Sequence, residues 1–247
     1  MKLTILGSGT AAPLLERINA AYVLEAGSLK FLLDSGAGAI RRLLEAKFSL
    51  FDINHIFYSH LHNDHINDLG AIIWSNNYGL KRAKTLNLYG PKGLKKYVKI
   101  LVNKLLKPQK LYFGINVKEL KNSKIKIGNV VIKTQKIKHS STTKSIAYRF
   151  EHNKKSFVYT GDTDYTDDIT CIAKNADALM TECSFPSKVE GHLTPSLAGK
   201  LASKANAKHL ILTHFYPEVL KTDIKKQCSM QFKKKITLAK DRLAIHI

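Results

Sequence analysis

Cysteine is scarce. Cys171, Cys183 and Cys228 are the only three in 247 residues, an odd number with no C-x-x-C pairing. That excludes a disulfide framework and a cysteine-built zinc knuckle. No apolar run is long enough to span a bilayer, and the start MKLTILGSGT lacks the basic head, apolar middle and small-residue cleavage site of a signal peptide. A cytoplasmic protein without a membrane role is the expectation. No internal repeat, low-complexity segment or linker of domain-boundary character interrupts the chain, so residues 1–247 are expected to form one domain with a substantial core.

Acidic residues are also few, 19 Asp+Glu against 40 Lys+Arg, for a formal net charge of +21. A surface this positive concentrates polyanions, nucleic acid first among them. The lysines are dispersed, however, at 95–96, 107–110, 124–138 and 233–235. Many must form solvated faces, and a Lys-rich composition alone accounts for part of the excess.

What is present reads as two kinds of periodicity. Lys2 to Gly7 is a first strand, and Tyr22–Leu24 with Leu29–Leu33 forms a hairpin turning at Ala26-Gly27-Ser28. Ile40 to Lys47 and Gly93 to Leu106 have helical spacing, the second ended by Pro108. From Ile115 to Phe150 the period is two, with strands divided by Lys-rich turns. Ser156–Thr160, Ala178–Thr181 and Leu210–Thr213 are further strands. Pro195–Lys204 is a helix started by Thr194, and another helix lies near Pro217 to Lys225. Two mixed sheets stacked face to face with helices outside satisfy this order. Gly7-Ser8-Gly9-Thr10-Ala11-Ala12 matches G-x-G-x-x-A on paper, but no crossover helix follows it. The dinucleotide reading fails, and the glycines become a tight loop near the active centre.

The decisive stretch is His60-Leu61-His62-Asn63-Asp64-His65, directly after the strand-like run Ile56-Phe57-Tyr58-Ser59 and before a helix running to about Trp74. Three imidazoles and a carboxylate on one strand-to-helix loop suit zinc, and also manganese or iron. His139, Asp162 and His214 each stand just beyond a later apolar run. Singly, each would be an ordinary strand-end residue. Asp162-Thr163-Asp164-Tyr165-Thr166 also fits the D-x-D-x-T of phosphoaspartyl hydrolases, a reading that leaves the histidine loop unexplained.

In order, H-x-H-x-D-H followed by His, Asp and His resembles the metallo-β-lactamase superfamily across nearly the whole chain, from LGSGTAAP to ILTHFYP. The resemblance implies an α+β four-layer αββα sandwich, two mixed β-sheets with helices on the outer faces. It implies two zinc ions, with His60, His62 and His139 on one, Asp64, His65 and His214 on the other, and Asp162 bridging. Two cations about 3.5–4 Å apart activate a water and clamp attacking and leaving oxygens, and Asp64 would orient that nucleophile. Aspartate at 162, where many true lactamases have cysteine, implies a substrate other than a β-lactam.

The C-terminal part is similar to ribonuclease Z, the endonuclease that trims tRNA 3′ ends. Glu182-Cys183-Ser184-Phe185 resembles that family's E-C-T-F, Gly191-His192-Leu193-Thr194 its H-x-T loop, and Leu210 to Phe215 its last ligand strand. By this resemblance His192 is a general acid for the leaving oxygen and Glu182 its orienting partner. The activity so implied is phosphodiester hydrolysis in RNA, a tRNA precursor being the partner. A small-molecule phosphodiesterase, for example on cyclic nucleotides, or a sulfatase-like hydrolase is the alternative. A nucleic-acid-binding protein with a structural metal site is a second. Two stretches depart from the pattern. Pro13-Leu14-Leu15-Glu16-Arg17 is followed by Ile18, displacing Asn19 from the P-x-x-x-R-N register. The long Gly/Pro-rich tRNA-clamping arm is replaced by Glu151 to Lys155. Relatives in that family are often homodimers, and Trp74 to Tyr78 is the candidate contact.

Overall fold

A computed structural model describes residues 1–79 and 82–247. The chain opens with β1 (Lys2–Gly7), β2 (Ala21–Ala26) and β3 (Leu29–Ser35), followed by α1 (Ala39–Glu45) and β4 (His55–Phe57). Next come the short helices α2 (Asn63–Ile66) and α3 (Leu69–Trp74), then β5 (Leu86–Gly90), α4 (Leu94–Ile100) and β6 (Ile115–Glu119). The second half holds β7 (Ser123–Ile127), β8 (Val130–Ile137), β9 (Ser145–His152), β10 (Lys155–Tyr159), α5 (Asp167–Ile172) and β11 (Ala178–Glu182). It closes with α6 (Pro195–Lys204), β12 (His209–Thr213), α7 (Pro217–Leu220), α8 (Ile224–Ser229), β13 (Lys235–Leu238) and β14 (Ala244–His246).

The strands form two seven-stranded sheets, ordered β14-β1-β2-β3-β4-β5-β6 and β13-β12-β11-β10-β9-β8-β7. Both are mixed: β3 to β6 run parallel in the first, β10 to β13 in the second. Alternation along each strand decides the layers, because successive side chains point to opposite faces. Leu3, Ile5, Tyr22, Leu24, Phe31, Leu33 and Phe57 join Ile132, Tyr148, Phe150 and Tyr159 in the core between the sheets. Leu6, Val23, Leu32, Ile56 and Leu88 face the other way and pack against Leu43, Ile72 and Leu94 of α1, α3 and α4. Helices α5, α6 and α8 cover the second sheet. The four layers are those that the sequence implied.

Several local expectations change. The helix expected over 93–106 is α-helical only to Ile100. Leu101–Leu106 then widens into π-helical turns, closed by Lys107 N donating to Val102 O at 2.9 Å and by a positive φ of 43° at Lys107. The helix expected near 217–225 is two, because Asp223 caps α8 by accepting from Lys226 N at 2.9 Å. Strands β13 and β14 were not anticipated. No helix separates β1 from β2, which pair antiparallel, so the G-x-G-x-x-A stretch is a loop. Phe215 N donates to Ser8 O at 3.1 Å, which puts that loop beside His214. Trp74 and Tyr78 pack together with ring centroids 4.5 Å apart and planes tilted by 51°, and both stay half exposed. Among the described residues no helix is long and apolar enough to cross a membrane.

Candidate metal centre

Topology gathers the seven side chains. β4, β10, β11 and β12 are neighbours of parallel strands, and β8 is antiparallel to β9, which is antiparallel to β10. The C-terminal ends of all these strands therefore reach one edge of the sandwich, where open sheets with parallel strands place their ligands. His60 and His62 follow β4, Asp64 and His65 ride on α2, and His139 follows β8. Asp162 lies beyond β10 and His214 directly after β12. Two hydrogen bonds lock the sheets together beside this edge: Tyr148 hydroxyl to Tyr58 O at 2.7 Å, and Ile146 N to Ser59 O at 2.9 Å.

The donor atoms of these residues lie close together. His62 Nδ1 lies 3.1 Å from His60 Nε2 and 3.2 Å from His139 Nε2. His214 Nε2 lies 3.2 Å from His65 Nε2 and 3.3 Å from Asp64 Oδ2, with Asp64 Oδ2 3.7 Å from His65 Nε2. Asp162 stands between the two sets. Its Oδ2 is 3.4 Å from His214 Nε2 and 4.0 Å from His60 Nε2, and its Oδ1 is 3.4 Å from His65 Nε2. Tetrahedral zinc with Zn–N arms of about 2.0–2.1 Å has ligand–ligand edges of roughly 3.3–3.4 Å, close to most of these spacings.

Each buried ring has its outer nitrogen engaged. His60 Nδ1 donates to Ser59 Oγ at 3.0 Å, His65 Nδ1 to Asp34 Oδ2 at 2.8 Å, His139 Nδ1 to Gly191 O at 2.9 Å, and His214 Nδ1 to Ser184 Oγ at 3.0 Å. With the proton fixed outside, the Nε2 lone pairs face inward at distances where they repel one another. A cation relieves that repulsion. Asp162 Oδ1 is buried and has no hydrogen-bond partner among the described residues, the further acceptor a cation would satisfy. The residues present thus fit a metal.

The local electrostatics agree. Burial, then neighbouring His65, holds His60 well below the usual imidazole range, in the neutral form a metal ligand needs. Burial would raise Asp162, yet His214 and His65 outweigh it and hold the carboxyl well below its ordinary value. Burial would likewise lower His65, but Asp162 and Asp34 raise it well above. Positive charge is favoured beside Asp34 and Asp162, where a cation would take the place of the His65 Nε2 proton, while His60 stays neutral.

Backbone close approach is built into the loops. Gly161 has φ +61°, and a Cβ there would meet Ser59 Cβ at 2.3 Å; Gly191 has φ +81°, and a Cβ would meet His139 O at 2.2 Å. Asp34 and His214 hold φ of 53° and 57° without being glycine, a local strain that the surrounding hydrogen bonds outweigh.

His192 and Glu182 also come together. The Glu182 carboxylate, fully buried, accepts from His192 Nδ1 at 3.0 and 3.2 Å, from Thr163 N at 2.7 Å and from Leu193 N at 3.2 Å. A ring nitrogen of His192 lies within 4.8 Å of donor atoms of His139 and Asp162. Burial lowers the His192 imidazole, but the Glu182 carboxylate outweighs it and the net shift is upward. Asp164, the second aspartate of the D-x-D-x-T match, has another task. It accepts from Gly191 N at 3.2 Å and from Lys188, tethering the loop that carries His192.

A family model described as anti-Pycsar protein Apyc1 matches residues 1–238. The chain belongs to the Apyc1 family. This Apyc1-family chain is also 26% identical over 250 residues to the probable metallo-hydrolase YhfI of Bacillus subtilis, covering 97% of each. It is 27% identical over 270 residues to ribonuclease Z of Archaeoglobus fulgidus, covering 86% of each. The crystal structure of YhfI, a metallo-β-lactamase fold protein, superposes with a TM-score of 0.84 at 24% identity over 99% of this chain and 98% of that one. Human tRNase Z, short form, gives 0.81 at 24% identity, over 100% and 99%. The Apyc1-family chain has the metallo-β-lactamase fold and is a metal-dependent hydrolase.

The orienting residues Asp34, Ser59, Ser184 and Gly191 were not singled out from the sequence. Ser59, Ser184 and Gly191 lie inside stretches that point to the site, one residue from His60, Cys183 and His192. Asp34 gave a fainter signal, an acidic residue ending an apolar strand, and it reads as the start of a D-S-G turn.

Proposed function

We propose that this chain hydrolyses small phosphodiesters, a cyclic nucleotide being the leading substrate. The observation that carries the proposal is the turn between β9 and β10. Asn153 and Lys154 alone connect these strands, both at positive φ of 48° and 61°, where a ribonuclease Z-like protein would carry its tRNA-clamping arm. Without the arm the site has no long grip on a tRNA body. Membership of the Apyc1 family supports the same reading, which moves ahead of the tRNA-processing activity that the resemblance put first.

In this reading His60, His62 and His139 would hold one zinc ion and Asp64, His65 and His214 a second, with Asp162 available to either. When bound, such cations supply Lewis acidity and a water of lowered pKa. The chain's own residues do the rest. Asp64, partly open to solvent beside His214, accepts a proton from the attacking water and aims it at phosphorus. His192 gives its Nε2 proton to the leaving ester oxygen as the P–O bond breaks. Glu182 keeps the His192 ring turned inward and favours the charged form that can donate.

The +21 charge and the ribonuclease Z relatives favour RNA as a second reading. Incubating the zinc-loaded protein in parallel with bis-p-nitrophenyl phosphate, 3′,5′-cyclic nucleotides and a 3′-extended tRNA precursor separates the two. Turnover of cyclic nucleotides with the precursor left intact is expected. Cleavage of the precursor with cyclic nucleotides untouched would overturn the proposal.

A further inference from the structure

A second basic feature lies at the same edge of the sandwich, where the chain crosses from β6 to β7. Leu120 N donates to Gly90 O at 2.7 Å, and Lys136 N donates to Asn122 Oδ1 at 2.8 Å, which fixes the crossing against the ends of β5 and β8. Lys136 is the cross-strand partner of Ile146, and Ile137 of Ser145. The result is a pocket of about 240 Å³ whose rim carries Lys92, Lys121, Lys136 and Lys144, all exposed, with Ser145 in its wall. Leu120 and Ile146 line its floor.

Three features separate this pocket from an ordinary lysine-rich face. Among the described residues none of the four ammonium groups has a carboxylate within 4.0 Å. Neighbouring acids are already engaged: Glu119 accepts from Gly93 N and Lys95 N, Asp168 from Gln135, and Glu190 pairs with Lys138. The Ser145 side chain is 2% exposed, and its Oγ has no hydrogen-bond partner among the described residues. An unpaired buried hydroxyl costs free energy that a ligand oxygen recovers. Four ammonium groups on one rim, without a paired carboxylate among the described residues, attract a multivalent anion.

The geometry points to a binding site for an oligophosphate, either free or as the phosphate tail of a nucleotide, held by Lys92, Lys121, Lys136 and Lys144 with Ser145 as the inner hydrogen-bonding group. None of these residues belongs to the metal centre, although Ile146 N is bonded to Ser59 O, next to His60.

Isothermal titration of the zinc-loaded protein with inorganic tripolyphosphate tests the site, because phosphate captured by the zinc ions persists in pocket variants. Lys136→Gln/Lys144→Gln is expected to weaken the pocket component about tenfold or more, and Ser145→Ala about fivefold. Hydrolysis of bis-p-nitrophenyl phosphate should be unchanged in both. Lys225→Gln/Lys233→Gln, which removes the same charge at the opposite edge of the second sheet, should bind as the parent does. Equal affinity of the parent and Lys136→Gln/Lys144→Gln, or equal weakening by the distant pair, would overturn the assignment. Titration with a nucleoside triphosphate identifies the source: a pocket component tighter than that of tripolyphosphate means a nucleotide tail, and an equal one means free oligophosphate.

Discussion

Replacing Asp34 by asparagine keeps the side chain's size and removes one acceptor from a fully buried position. Asp34 Oδ1 accepts from Ser59 N at 2.7 Å; Oδ2 accepts from Ser59 Oγ at 2.7 Å, from His65 Nδ1 at 2.8 Å and from the Tyr159 hydroxyl. An amide must turn its NH₂ toward one of these sets. Toward Ser59 N it opposes a second donor, and a buried unpaired donor costs about 1–3 kcal/mol, roughly 2–12 °C in Tm for a chain of this length. Toward His65 it donates to Nδ1 and drives that ring's proton to Nε2, the atom facing Asp64, Asp162 and His214. A protonated Nε2 cannot coordinate, and loss of such an orienting partner lowers metal affinity about 10- to 100-fold. Zinc competition against a chromophoric chelator, with calorimetric melting of the metal-free protein, reads both branches. Asp34→Asn with parental zinc affinity and parental Tm would refute the orienting role.

Three further outcomes follow from the same geometry. His192→Ala should keep its metal content and lose about 10²- to 10⁴-fold in kcat on esters with poor leaving groups, but far less on p-nitrophenyl esters; equal loss on both would count against a general acid. Dipicolinate treatment should abolish turnover and lower Tm, with zinc restoring both, whereas turnover surviving metal removal would contradict a metal-dependent reaction. Burial, then Lys235, lowers His209 to about 4, so the folded ring stays neutral while the unfolded one takes up a proton near pH 6.5. Its stabilisation is present above about pH 6.5 and is lost as pH falls toward 4. The stability advantage of the parent over His209→Gln, measured by urea unfolding, should therefore shrink between pH 7 and pH 5, and a constant difference would disprove it.

Much of the centre could be read from the chain because ligand chemistry is carried by residue type. His60, His62, Asp64 and His65 crowd one loop, and the later His139, Asp162 and His214 each follow an apolar strand whose C-terminal end must lie at one edge. Thr194 was legible as a cap for the same local reason: a hydroxyl three residues before an amide it accepts from, Leu197 N at 3.2 Å. Asp34 was not, because what distinguishes it from any turn aspartate is contact with Tyr159, 125 residues away. Strands β13 and β14 were hidden for a related reason. Lys235–Leu238 follows a lysine run, and Ala244–His246 is only three residues, so both owe their conformation to the ladders they complete with β12 and β1. The α-to-π change after Ile100 carries no residue signature before Pro108.

Anomalous diffraction at the zinc edge from crystals of the metal-loaded protein addresses the central claim most directly. The expected result is metal among His60 Nε2, His62 Nδ1 and His139 Nε2, and again among Asp64, His65 and His214, with Asp162 touching both. Zinc bound elsewhere, or none at these seven side chains under saturating metal, would contradict it.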